Sequence, residues 1–399
     1  MKVLIVHVPY EHHGGEDVHV DALMQGYRRI GISPILFPEN RNPPKPYLKK
    51  ALQSLEPSSS FKELDELMEA HQPKYLHIHN IFPVLGPKFL RWTIQKKIPV
   101  VMTVHNHRFF CTNGLALRSK KICKDCFNSK IAWRPILHNC NGSWQKSVYH
   151  SLALTEIRLQ DLYANAIDRF VAPSPYLQAE LVRLGIPKEK VLHILNPVFW
   201  FTSGSQPSGA LKYDVLYAGR LSHEKGIREL LAATELLPDI RFVVAGDGPE
   251  RPEVEKRTQA SKNITFLGPV SHDEVLDLII QSKIAVLPSI CNETLSTFAL
   301  EVFFQGKHCV VPALDSTSWL ASGDFPGVLS KPGDPKDLAR VIRNTLALPP
   351  IDEKQKTNLQ KKLGFERFCS DLVSLVSGMK ISEIPTKHDN EKLSPQQSL

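Results

Sequence analysis

Residues 213–237 read YDVLYAGRLSHEKGIRELLAATELL. An apolar run ends at Ala218, a turn carrying Gly219 and Gly226 follows, and apolar residues then recur at helical spacing from Ile227. That order predicts a strand, a tight turn and a helix, the repeating unit of a parallel α/β sheet.

The same alternation extends to both sides. Downstream come the apolar runs IRFVVAGDG, NITFLG, IAVLPS and KHCVVPA, with a helix over DEVLDLIIQS between them. Upstream, KVLIVHVP, YLHIHN, PVVMTVHN, DRFVAPS and KVLHILNPV are strand-like, and DALMQGYRRIG and PYLQAELVRLGI are helix-like. Two α/β units of similar plan are therefore expected, with functional groups at the C-terminal ends of their strands and a ligand crevice between them. The Ser-, Gly- and Pro-rich stretch FTSGSQPSGALK reads as the linker. The expected boundaries are 1–198 for the first domain, 199–212 for the linker and 213–365 for the second domain. A helix read over KKLGFERFCSDLVSLVSGM, set apart from the second domain over 366–380, and a disordered tail over 381–399 complete the chain.

A chain of 399 residues, 42% hydrophobic and 23% charged, suits a folded globular protein rather than a disordered one. Its net charge of +8 favours an anionic partner. No apolar run is long enough to span a bilayer. The opening MKVLIVHVPYEHHGG reads as a first strand, not an export signal, and seven cysteines without such a signal predict reduced thiols in a cytoplasmic protein.

The turn in residues 213–237 carries chemistry as well as fold. Arg220 follows the strand directly, and Lys225 stands just before the helix. Two fixed cations with a helix N-terminus behind them suit a diphosphate. A solvated surface turn is the competing reading. A second such element is NETLSTFALEVF, residues 292–303, where a helix is expected to begin near Ser296 or Thr297. Glu293 precedes that helix, and Glu301 falls one turn inside it on an apolar stripe, where a carboxylate is costly without a hydrogen-bond partner. The spacing sets one carboxylate at the reacting end of a bound ligand and the other further along it.

Cys111, Cys123, Cys126 and Cys140 fall in one loop-rich segment, with a C-x2-C at its centre. Structural zinc is one reading, although a zinc ribbon shows two such pairs; thiols buried for packing are the other. The overlapping stretch LRSKKICKDCFNSKIAWR carries six Lys/Arg against one Asp, with Phe127 and Trp133 interleaved. It suits either a solvated basic loop or contact with an anionic membrane surface. Nucleic acid is not expected, because no binding module is present. Among the histidines, His12, His13, His77, His79 and His107 include no helix-spaced metal pair.

Taken together, AGRLSHEKGI, VVAGDGPE, ITFLGPVSHDEV, AVLPS, NETLSTFALEVFFQGK and PGDPKDLA resemble the glycosyltransferase family 4 group, retaining enzymes that use nucleotide sugars. The blocks cover most of residues 213–340. GGEDVHV, HIHN and TVHNHRFFCTNG match more loosely in the first half.

The resemblance implies a GT-B fold, two Rossmann-like domains with parallel sheets facing a central cleft and a C-terminal helix crossing back to the first domain. It implies that Arg220 and Lys225 hold the donor diphosphate, that Glu301 bonds the donor ribose, and that Glu293 faces the transferred sugar. His105 would reach the sugar near its reacting carbon, and Gly14 and Gly15, in the loop after the first strand, would admit a phosphate. Gly219, Gly246, Gly268, Val270, Ser296, Thr297 and Phe298 would complete the donor site. The family usually has Gly at Ser296 and Ala at Val302, and its glycine pair is missing from ALDSTSWL.

The expected reaction moves a hexose or N-acetylhexosamine from a nucleoside diphosphate to a saccharide or lipid-linked saccharide, with no cofactor required. A non-catalytic sugar-nucleotide-binding homologue and a nucleotide-sugar epimerase are the alternatives. A glycoside hydrolase, which also uses two carboxylates, has no need of Arg220 and Lys225 on such a turn.

Overall fold

The structure, a computed structural model, describes residues 1–9, 14–38, 59–82, 84–119, 121–198 and 211–379. His12, His13, linker residues 199–210 and the 381–399 tail lie outside the described residues.

The first half contributes β1 (Lys2–Val6), β2 (Ser33–Phe37), β3 (Tyr75–Ile78), β4 (Val100–Thr103), a short hairpin of β5 (Leu117–Arg118) and β6 (Lys121–Ile122), then β7 (Arg169–Ala172) and β8 (Val191–His193). Apart from the hairpin these strands form one parallel sheet in the order β2-β1-β3-β4-β7-β8. The second half contributes β9 (Tyr213–Ala218), β10 (Phe242–Ala245), β11 (Ile264–Gly268), β12 (Ser282–Val286), β13 (Cys309–Pro312) and β14 (Gly327–Ser330), in the parallel order β11-β10-β9-β12-β13-β14. The strands are short apolar runs because helices cover both faces of each sheet.

Side-chain alternation shows that double covering. Leu4 and Val6 enter one apolar cluster, while Val3 and Ile5 enter another on the opposite face. Leu216 and Val215 divide in the same way between the two faces of the second sheet. In each sheet the strand order reverses beside the first strand, between β1 and β3 and between β9 and β12. Such a reversal opens a crevice at the strand C-termini.

The helix Phe365–Ser377 buries Phe368, Leu372, Leu375 and Val376 against Val3, Leu23 and Tyr27 of the first half. This is the crossing-back helix that the resemblance implies, and its apolar stripe has helical spacing. Packing is close: a Cβ at Gly26 would stand 2.7 Å from Leu372 Cδ1.

Two local expectations are corrected. The stretch KKLGFERFCSDLVSLVSGM is two helices, broken at Gly364, where a Cβ would meet the Gln360 carbonyl oxygen at 2.6 Å. The first helix spans Gly15–Arg29 rather than starting at Asp21, so Gly14 and Gly15 form its N-terminus instead of a loop. The Asp17 carboxylate accepts the Gly14 N–H at 2.9 Å, and Glu16 and Asp17 suit the positive end of the helix.

Candidate functional site

A cleft of about 960 Å³ is lined by both halves of the chain. The first half supplies Gly14, Gly15 and His105, and the second supplies Gly219, Arg220, Lys225, Gly246, Val270, Glu293, Ser296, Thr297 and Phe298. Fourteen residues were expected at the site, and this cleft gathers all but two, Gly268 and Glu301. Gly268 stands behind the wall, its carbonyl accepting the Gly246 N–H at 2.7 Å. Glu301 lines a smaller neighbouring cavity with Gly15, His19, Asn196, His272 and Thr297.

Glycine geometry brings the walls together. A Cβ at Gly246 would lie 1.9 Å from the Gly219 carbonyl oxygen, at φ +138°. A Cβ at Gly226 would lie 1.9 Å from the Pro288 carbonyl oxygen, so the turn after β9 rests directly on the segment after β12. The Ile290 N–H donates to the Glu224 carbonyl at 3.0 Å and fastens the two.

That contact places Lys225 Nζ 2.9 Å from Glu293 Oε1. The Glu293 side chain is only 8% exposed; the Ser289 hydroxyl donates to its carboxylate, and its own N–H donates to Ser316 Oγ at 3.1 Å. Burial disfavours the Lys225 charge, but Glu293 outweighs it and holds the ammonium above its ordinary pKa. Arg220 is exposed at the cleft, and its carbonyl accepts the Tyr217 hydroxyl at 2.8 Å.

The helix Thr297–Phe304 begins at the cleft wall. Ser296 is its cap, accepting the Ala299 N–H at 3.3 Å, which gives a local reason for a hydroxyl where the family has glycine. A Cβ at Gly15 would stand 3.6 Å from Thr297 Oγ1, so two helix N-termini meet across the cleft. Their dipoles both favour negative charge there. The Glu301 carboxylate accepts the His272 Nε2–H at 2.9 Å, and this bond raises the His272 pKa.

His105 ends a buried row of imidazoles. His77 stacks on His79 and His79 on His105, with centroids 4.8 and 5.1 Å apart. His79 Nδ1 and His105 Nε2 share a hydrogen bond of 2.8 Å, and His77 bonds Tyr27 and Thr103 at 2.7 Å each. Burial, then neighbouring imidazoles, pushes His79 and His105 well below their ordinary pKa, and His19 and His77 to about 3. These rings are neutral at pH 7. His19, His79 and His105 also bring three ring nitrogens within 4.8 Å, a grouping from three separate elements that sequence spacing does not display.

Other contributors escaped the sequence reading. The Thr294 hydroxyl donates to the His105 carbonyl and ties the two halves at the cleft. Asn106 Nδ2 donates to Glu16 Oε1 at 2.8 Å, and both residues line the cleft. GGEDVHV and the repeated His-Asn were the available signals, but neither shows which partner each side chain meets.

Two parallel α/β halves around one cleft, closed by a returning helix, define the GT-B class. A profile described as "Glycosyltransferase Family 4" matches residues 13–198, and one described as "Glycosyl transferases group 1" matches residues 201–362. The chain belongs to this glycosyltransferase family. The alpha-D-kanosaminyltransferase of Streptomyces kanamyceticus is 31% identical over 151 residues, 36% of this chain and 39% of that protein. The 2-deoxystreptamine glucosyltransferase of the same organism is 27% identical over 201 residues, 48% of this chain and 46% of its own length. The chain thus spans less than half the length of these two relatives. Among solved structures, Anabaena HepE in complex with UDP is similar at a TM-score of 0.66 and 16% identity, over 95% of this chain and all of that one.

Proposed function

We propose that the protein is a retaining glycosyltransferase. It moves a hexose or N-acetylhexosamine from a nucleoside diphosphate to a saccharide or lipid-linked saccharide, in surface polysaccharide synthesis. The observation that carries this reading is the convergence of Arg220, Lys225 and two helix N-termini on one cleft. The UDP held by the similar Anabaena structure supports a uridine donor.

In this mechanism the diphosphate lies against Arg220 and Lys225, which stabilise the charge that develops as the sugar–phosphate bond breaks. The acceptor hydroxyl attacks from the side the phosphate leaves, and its proton passes to the departing phosphate oxygen. Retention follows from that geometry. Glu293 fixes Lys225 beside the sugar, and neutral His105 offers a hydrogen bond at the cleft edge.

A lipid-linked acceptor at a membrane surface is supported by an exposed apolar face. The helix Trp144–Leu159 turns Trp144, Val148, Leu152 and Leu159 to solvent, with Ile131, Trp133 and Leu137 exposed nearby. Leu152 is 63% exposed. Lys130, Arg134 and Lys146 belong to the same segment, and apolar plus basic composition suits an anionic bilayer surface. Among the described residues no helix is long and apolar enough to cross a membrane.

The test is titration of the purified chain with nucleotide sugars, followed by transfer assays and analysis of the product anomer. A retained anomer supports the reading. Product of inverted configuration overturns the mechanism; no sugar-nucleotide binding overturns the function; binding without transfer or turnover selects the non-catalytic homologue.

A further inference from the structure

We infer that Cys111, Cys123, Cys126 and Cys140 form a structural site for one tetrahedral divalent metal ion of the zinc type, which fixes the lobe between β4 and β7 beside the cleft. This inference is independent of the reaction proposed above.

The lobe has little regular structure of its own. Between β4 and the helix Trp144–Leu159 the described residues form a three-residue turn of 3-10 helix, two strands of two residues and one helix of four. Phe110, Cys111, Ala116 and Phe127 anchor the lobe to the first core, and a metal staple would fix what that packing leaves without ladder hydrogen bonds.

Three independent contacts bring the four cysteines to one place. Arg158 donates to the carbonyls of Phe110, Cys126 and Ser129, which sets the chain before Cys111 beside Cys126. Asn141 Nδ2 donates to Thr112 Oγ1 at 3.2 Å, which sets the residue after Cys140 beside the residue after Cys111. The Cys123 N–H donates to the Ala116 carbonyl at 2.8 Å, and the Phe127 N–H donates to the Lys124 carbonyl at 3.0 Å. This last bond closes a turn over Lys124–Phe127, next to Cys123 and including Cys126.

Electrostatics agrees with the geometry. Each of the six cysteine pairs is close enough for its thiols to act on one another electrostatically. A divalent cation removes that mutual repulsion as the four thiols release their protons to solvent. The residual charge of −2 has cations beside it: Arg118 acts on Cys140, and Arg158 acts on Cys126. Packing alone accounts for Cys111 and Cys126, which are buried, but not for Cys123 and Cys140, which are half-exposed.

Among the described residues only His19, His79 and His105 already hold three ligand atoms within 4.8 Å, so the proposed site requires the four thiols to stand closer with the ion bound than they do here. The histidine set is the weaker metal candidate, because two of its nitrogens bond each other at 2.8 Å. The cysteine lobe has a clear use. Gly114 and Leu115 line the cleft, and Lys124, between the C-x2-C thiols, lies 3.3 Å from Asp315 of the second half.

The experiment is elemental analysis of the full chain purified without chelator, beside the double variant Cys123→Ser/Cys126→Ser and the control Cys369→Ala. About one zinc per chain is expected in the parent and the control, and less than about a tenth in the double variant. Should the double variant not fold, alkylation of the native parent decides. The four cysteines are expected to resist labelling until a strong zinc chelator is added, and cobalt(II) exchanged into the parent is expected to give intense thiolate-to-metal absorption. Zinc far below one per chain, zinc retained in a folded double variant, labelling indifferent to chelator, or disulfides among the four in fresh protein would overturn the site.

Discussion

Lys225 Nζ stands 2.9 Å from Glu293 Oε1, which joins the turn after β9 to the loop after β12 at the place where the second sheet reverses its strand order. The carboxylate that the resemblance assigns to the sugar thus also orients the cation assigned to the diphosphate. Pairing keeps the ammonium charged where partial burial disfavours it.

Replacing that cation removes charge where the leaving group develops its own. Lys225→Ala and Arg220→Ala are each expected to lower kcat by roughly 10²-fold or more, the scale of losing one preorganised oxyanion donor. Initial rates with saturating donor check this. Because Arg220 is exposed, its variant should unfold at the wild-type urea concentration, and wild-type turnover in either variant removes the leaving-group role.

Two glycines should respond differently to an added methyl. At Gly246 a Cβ would strike backbone at 1.9 Å with φ at +138°, so Gly246→Ala should cost about 1–3 kcal/mol. At Gly15 the nearest outside atom is 3.6 Å away, an ordinary contact, so Gly15→Ala should stay within about 0.5 kcal/mol of wild type. Urea midpoints of the two variants give the comparison, and equal destabilisation contradicts it.

The buried imidazoles predict acid sensitivity. His19 and His77 have folded pKa values depressed from 6.5 to about 3, so the unfolded chain takes up their protons first as pH falls. Their contribution is complete above about pH 6.5 and is lost progressively below it, at up to ~1.4 kcal/mol per pH unit for each ring. His77→Gln should flatten the fall in unfolding free energy between pH 6 and 4, by about one ring's share. An unchanged slope speaks against a neutral buried His77.

The exposed apolar face yields a membrane prediction. Trp144→Ala combined with Leu152→Ser should reduce sedimentation with vesicles containing an anionic phospholipid by several-fold, while leaving the urea midpoint near wild type, since both residues are more than half exposed. Equal sedimentation of variant and parent removes this face from the membrane reading.

Most of the fold was legible because a strand buried on both faces is a short apolar run, and GT-B architecture repeats that run with helices between. Boundaries were less legible. Gly364 ends one helix and starts another by turning extended where its backbone lies too close to the Gln360 carbonyl for a Cβ, and Gly14 becomes a cap because Asp17 folds back on it; neither event leaves a mark in hydrophobic period. At the site, residue types were readable and partners were not. The burial cost of Glu301 was legible, but its bond to His272, a residue 29 positions earlier, was not.

The amino-acid order alone determined two parallel α/β halves, the two cations on the turn after β9 and the placement of Glu293 before a helix, since these depend on local spacing and charge. Tertiary structure decided that Lys225 meets Glu293, that His79 meets His105 and that Thr294 meets the His105 carbonyl. Those contacts arise where sheet ends and separate domains converge, and distance along the chain carries no measure of that convergence.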